Sequence, residues 1–294
     1  MRVVTLLPGA TEIVAALGAG QMLAGVSHEC DYPAWVRSLP RLTSTPLDPS
    51  QPGAAIDAQV RQLREAGRAV IQVEADALAR LAPDLVITQD LCEVCAVADG
   101  VVHRLADVMA RPPQVLSLTG RTVPGVLADI RRVAKALDLT PQGDALAAEL
   151  RDRLDRLAPR PATRRRVICI EWLAPLYLAG HWVPELVAAA GGLDVGAQPG
   201  AHSALWSWAD AMELEPELAV VMLCGFDLAR ARQELDRLGT REEARLLGSI
   251  PVWLLDGNAY TSRPGPRIVD GAERIRAAIR GEERPGLERW EPRA

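Results

Sequence analysis

The chain has 294 residues with 33 basic and 38 acidic side chains, a formal net charge of −5, and an apolar share of 49%. That length exceeds what one small core requires and suits two. The mild negative charge gives no support for nucleic-acid binding, and the absence of any run of about 18 apolar residues excludes a membrane-spanning helix.

In chain order, Met1-Arg2 leads directly into the β-rich run Val3–Leu7, which leaves no room for a secretory leader and reads as a cytoplasmic protein. A leader removed earlier would make it periplasmic or cell-surface. A helical pattern over Glu12–Leu17 follows, with Thr11 as its expected cap, then β-rich Leu23–Ser27 and Ala69–Val73, helical Ala77–Leu81, and β-rich Leu85–Thr88 and Val115–Leu118. The alternation predicts βα units and a mostly parallel sheet.

From Val123 to Leu157 the apolar residues recur at helical spacing, with Thr140-Pro141 as the expected interruption. Pro159–Thr163 breaks the chain before a second α/β region opened by Val167–Ile170 and continued by Ala219–Leu223 and Val252–Leu255. Leu78–Ile87 and Met212–Val221 resemble each other. The predicted fold is α/β: two similar Rossmann-like lobes, residues 1–120 and 161–294, joined by a long helix within 121–160, with the ligand cleft between the lobes. Ligands of open parallel sheets bind beyond the carboxyl ends of the strands, and here Thr11, Glu12, Tyr32, Gln89, Trp172, Tyr260 and Arg263 fall in or beside those loops.

Two soft-ligand clusters end strands of the first lobe, His28-Glu29-Cys30 and Cys92-Glu93-Val94-Cys95. His28, Cys30, Cys92 and Cys95 supply three thiolates and an imidazole, a donor set for zinc, iron or an iron-sulfur cluster. A redox pair at Cys92/Cys95 and plain buried cysteines are the competing readings. No Ser-His-Asp set, phosphate-cradling glycine loop or paired catalytic carboxylates stands out, so whether the chain is an enzyme is left open.

The motifs Leu6–Ile13, Gly25–Pro33, Pro83–Gln89 and Arg263-Pro264-Gly265-Pro266-Arg267 resemble, in order and spacing, the cobalamin and iron-siderophore substrate-binding proteins of ABC importers, over essentially the whole chain. The resemblance implies a binding protein for a large flat or metal-bearing ligand, and Asp31-Tyr32-Pro33 is nearest the cobalamin binders. It points to a corrinoid held on Trp172, Trp206, Trp208 and Tyr260, with Arg263 pairing a ligand carboxylate or phosphate. His181 and His202, beside the tryptophans, are candidate axial ligands or hydrogen-bond donors. Such relatives dock their permease through one acidic residue per lobe. Asp76 stands near the first, whereas Ala209 falls at the second with Asp210 one place off. The Cys/His set departs from ordinary cobalamin binders and keeps two alternatives open, an inorganic metal or cluster protein and a thiol-dependent corrinoid-processing protein.

Overall fold

In the computed structural model, which describes residues 1–91, 97, 99–157, 163–239 and 241–291, the first lobe is built on a four-stranded, wholly parallel sheet. Its order is Leu23–Val26, Val3–Thr5, Leu85–Gln89, Gln114–Leu118. All five residues of Leu85–Gln89 are buried, as expected of a central strand covered on both faces. The second sheet is mixed. Arg165–Leu173, Leu218–Val221 and Val252–Leu255 run parallel, Gly192–Asp194 adds a parallel partner, and Leu176–Leu178, Ala204–Leu205 and Leu287–Trp290 join antiparallel.

The first helix begins one turn earlier than its periodicity indicates, at Pro8–Ala16, with Leu7 as N-cap. Proline suits the first helical position because the N–H it lacks would have no partner there. Thr11 therefore lies inside the helix and caps nothing. The run Ala69–Val73 supplies only Gln72–Val73, paired antiparallel with Thr43–Ser44 outside the main sheet.

Between the sheets stand two helices, Val123–Ala136 and Thr140–Leu157, broken where Thr140-Pro141 was expected to interrupt the pattern. Asp138 turns the chain with φ 59°. The helices pack on one another at Gly143, where a Cβ would stand 2.3 Å from that of Ala134. One apolar cluster runs continuously from Val3 and Leu85, through Ile130, Ala147 and Leu150, to Val167 and Leu218. The two lobes thus share a core across the helices.

The sequence likeness between Leu78–Ile87 and Met212–Val221 is a likeness of backbone. In each, a short helix (Ala75–Leu81, Trp208–Glu213) is followed by a left-handed residue before proline, Ala82 at φ 42° and Glu215 at φ 49°, and then by a core strand.

A helix that the sequence reading did not anticipate, Gly53–Glu65, belongs to the first lobe by position but packs Ile56 into the outer apolar cluster of the second sheet. Leu47 and Val60 touch the outer clusters of both sheets. Residues 47–60 form a strap from one lobe to the other.

Candidate functional site

The loops that follow the parallel strands of the two sheets meet. A Cβ on Gly9 would fall 2.7 Å from the Pro264 carbonyl oxygen, so the start of the first helix at Pro8-Gly9 and the Pro264-Gly265 turn touch backbone to backbone, an approach that only glycine permits. Around this contact lies a buried ion cluster. Arg263 Nη1 donates to Glu12 Oε1 at 3.0 Å and to Asp31 Oδ1 at 2.6 Å, and its Nη2 donates to Asn258 Oδ1 at 2.7 Å. Arg267 grips Glu12 with two N–H groups, at 2.8 and 2.5 Å. Asn258 donates to Asp31 Oδ2 at 3.2 Å. Two guanidiniums face two carboxylates, with Arg263 and Glu12 only 5% and 3% exposed. Burial pushes the Asp31 carboxyl up, but the Arg263 hydrogen bond and charge, with help from Asn258 and Arg267, hold it below the ordinary carboxylate range.

Arg263 and Glu12, expected to face a ligand, thus spend their charges on their own chain. Thr11 is fully buried between Thr5 Oγ1 at 2.6 Å and Cys30 Sγ at 3.0 Å. Gln89 ends the central strand and is 7% exposed. The roles of Arg267 and Asn258 were missed. The available signal was Glu12, a lone carboxylate within an otherwise apolar helix.

Of the candidate metal ligands, His28 Nδ1 lies 2.7 Å from Thr43 Oγ1, and burial, then the nearby Arg41 charge, lowers its pKa. Cys30 is 1% exposed; burial pushes its thiol up to about 11 against the opposing hydrogen bond from Thr11, which makes it a poor thiolate at neutral pH. Cys92 and Cys95 lie outside the described residues. Among the described residues no three His, Cys, Asp or Glu side chains are grouped to hold a metal ion, and no helix is long and apolar enough to cross a membrane.

The aromatic candidates separate into two places. Tyr32 is 47% exposed, with the Arg267 guanidinium 4.1 Å from its ring centroid. Tyr260 packs under Arg274, 3.7 Å over the ring, and its hydroxyl accepts from Arg274 Nη2 at 2.9 Å. On the second lobe, Trp172 stands 5.3 Å from Phe226, and Trp206 and Trp208 lie partly buried against the outer cluster. Trp182 is core, donating Nε1–H to the Thr261 carbonyl at 3.0 Å. His181, held at φ 54°, lies 5.4 Å edge-on from His202, whose Nε2 is 3.0 Å from Arg121 Nη1. Its own Nε2 is buried and unpartnered among the described residues.

Asp76 and Asp210 both stand exposed in the first turn of the two equivalent short helices.

No family model matches the chain, and no curated protein matches it. Solved structures do. The periplasmic heme-binding protein RhuT of Roseiflexus sp. RS-1 is 20% identical with a TM-score of 0.68, over 95% of this chain and 97% of that one. A periplasmic heme-binding protein of Pseudomonas aeruginosa is 18% identical with a TM-score of 0.73, over 100% and 99%. The periplasmic vitamin B12-binding protein BtuF of Vibrio cholerae is 19% identical with a TM-score of 0.65, over 95% and 96%. The chain has their two-lobed fold. The likeness spans the whole length, as the sequence motifs implied, and at such identities it carries the fold and not the cargo. All three are periplasmic proteins, and the expectation of a cytoplasmic protein finds no support among them.

Proposed function

We propose that this chain is a binding protein for a metal-containing tetrapyrrole, held between the lobes. The observation that carries the reading is the match, over nearly the full length of both chains, to heme-binding and vitamin B12-binding proteins. Within that class a corrinoid is the first candidate, because Asp31-Tyr32-Pro33 resembles the cobalamin binders. The geometry around Tyr32 supports the reading: one side of its ring is held by Arg267, and Asp31, beside it, is anchored by Arg263 and Asn258. A preformed aromatic surface of this kind binds a flat ligand without the cost of ordering it. Trp206 and Trp208 add apolar area on the other lobe. Inorganic metal binding has less support, since Cys30 is a buried thiol bonded to Thr11.

The test is titration of the purified protein with hydroxocobalamin and, separately, hemin, read by visible spectrum and by co-elution in gel filtration. Stoichiometric retention of hydroxocobalamin, weakened about tenfold in Tyr32→Ala, is the expected result. Retention of hemin alone corrects the corrinoid assignment and keeps the tetrapyrrole. Retention of neither ends the proposal.

A further inference from the structure

The wall of the cleft around Tyr32 carries one charge that the fold leaves open. Glu29 stands between His28, which is bonded to Thr43, and Cys30, which is bonded to Thr11 in the core. Its backbone is fixed on both sides: the N–H donates to Ser27 Oγ at 3.4 Å, and the carbonyl accepts from Arg263 Nη2 at 3.4 Å. The side chain is exposed, and its carboxylate has no hydrogen bond or ion pair among the described residues. Burial nevertheless pushes that carboxyl up, against the charge of Arg263 and together with that of Asp31. A group that water reaches and protein surrounds stands in the wall of a concavity, and Tyr32, 47% exposed, belongs to the same loop.

The cations of this wall are engaged. Arg263 and Arg267 are held by Glu12, Asp31 and Asn258, and Arg41 gives its guanidinium to the backbone carbonyls of Ser27, Cys30 and Arg37. Asp256, which the charges of Arg267 and Arg263 reach, and Asp227, which acts on Asp256 in turn, add to the negative side. Even without Asp227 the carboxylates here, Glu12, Glu29, Asp31 and Asp256, outnumber the three guanidiniums. Arg237 and Arg241 lie in the strap-side wall of the second lobe, in which Glu29 has no part. A ligand edge laid over Tyr32 therefore meets an unpaired acceptor and no guanidinium free to receive an anion. Amide N–H groups satisfy such a carboxylate through charge-assisted hydrogen bonds. A carboxylate in the same place meets a like charge with nothing to offset it.

We propose, resting on the tetrapyrrole reading, that Glu29 selects macrocycles whose periphery carries carboxamides over those that carry free carboxylates. It accepts from amide N–H groups on the edge that lies over Tyr32. The selection runs opposite to what Arg263 alone suggests: a guanidinium in the loop invites a ligand carboxylate, but its fork is filled by Glu12, Asp31 and Asn258, and the charge left open beside it is negative.

The probes are the dicyano forms of cobinamide, with amides around the ring, and of cobyrinic acid, with carboxylates at the same positions. They are titrated into the full chain at neutral pH and followed by visible spectrum and gel filtration. Cobinamide is expected to bind at least about tenfold tighter. Glu29→Gln, at an exposed position, leaves the melting temperature unchanged and brings the two affinities to within about threefold of each other. Equal binding of the two probes by the native chain, or a preference undiminished in Glu29→Gln, overturns the proposal and leaves the tetrapyrrole reading standing. Retention of hemin with neither corrin probe retained overturns it likewise. Retention of no macrocycle at all, hemin and hydroxocobalamin included, overturns both.

Discussion

Glu12 and Arg263 stand 251 residues apart in the chain, yet Arg263 Nη1 donates to Glu12 Oε1 across 3.0 Å. Neither charge is solvated, and each has further partners in the same cluster. The pair therefore joins the first helix of one lobe to a strand-end loop of the other at a fixed distance.

Removing one member of a buried ion cluster strands its partners, a loss of about 3–5 kcal/mol. Arg263→Ala is expected to lower unfolding stability by that order, read as a shift of the urea midpoint at unchanged slope. Arg263→Lys should recover only part, because a single ammonium cannot reproduce the guanidinium fork that reaches Glu12, Asp31 and Asn258 together. A loss below about 1 kcal/mol would mean the cluster behaves as a surface pair.

Asp194 gives a pH dependence of definite sign. Its Oδ1 accepts from Gly196 and Ala197 at 2.9 and 3.2 Å, while Oδ2 is buried without a partner among the described residues. Burial pushes its pKa up to about 7 against those two hydrogen bonds. A folded pKa raised above the unfolded one gives stability that is present at low pH and lost as pH climbs to the folded value. Asp194→Asn should thus raise the melting temperature at pH 8 and leave it nearly unchanged at pH 4. Equal shifts at both pH values would refute the assignment.

How much of this was legible beforehand follows from what each signal depends on. The strands Val3–Thr5, Leu23–Val26 and Val252–Leu255 were plain because they are continuous apolar runs, and the repeat around Ala82-Pro83 and Glu215-Pro216 because proline marks it. The helix Gly53–Glu65 was not, since two glutamines and several charges dilute its apolar face and Gly53 and Pro52 read as a loop. The edge strands Ala204–Leu205 and Gly192–Asp194 are too short to carry alternation. At the site, Arg263 and Glu12 were both named, but as ligand contacts and not as each other's partners, and Arg267 and Asn258 were given no role. Sequence spacing reveals a guanidinium but not the carboxylate that a fold brings to it from the far end of the chain.

The contact of the two central helices can be tested by size alone. Gly143→Ala sets two methyl groups 2.3 Å apart, an overpacking that costs about 1–3 kcal/mol. Adding Ala134→Gly should return part of the loss, less the lowered helix propensity of glycine, and a thermodynamic cycle should show coupling above about 0.5 kcal/mol. Strict additivity would place the helices farther apart.

Thiol reactivity should sort by burial. Cys30 and Cys169 are buried, with both thiols pushed up chiefly by burial, whereas Cys224 is partly exposed. In native protein at pH 8, iodoacetamide should label Cys224 well before Cys30 or Cys169, as read by peptide mass mapping. Rapid labelling of Cys30 would contradict its place between Thr11 and the ion cluster.

The strap has a meaning for how the protein comes into being. Ile56 completes an apolar layer whose other buried members are encoded more than a hundred residues downstream, so during synthesis this side chain emerges before the surface that covers it. A fragment starting at the second lobe would lack that plug, and one ending before it would expose it. The two halves resemble each other in backbone, yet each completes its apolar layers with side chains of the other.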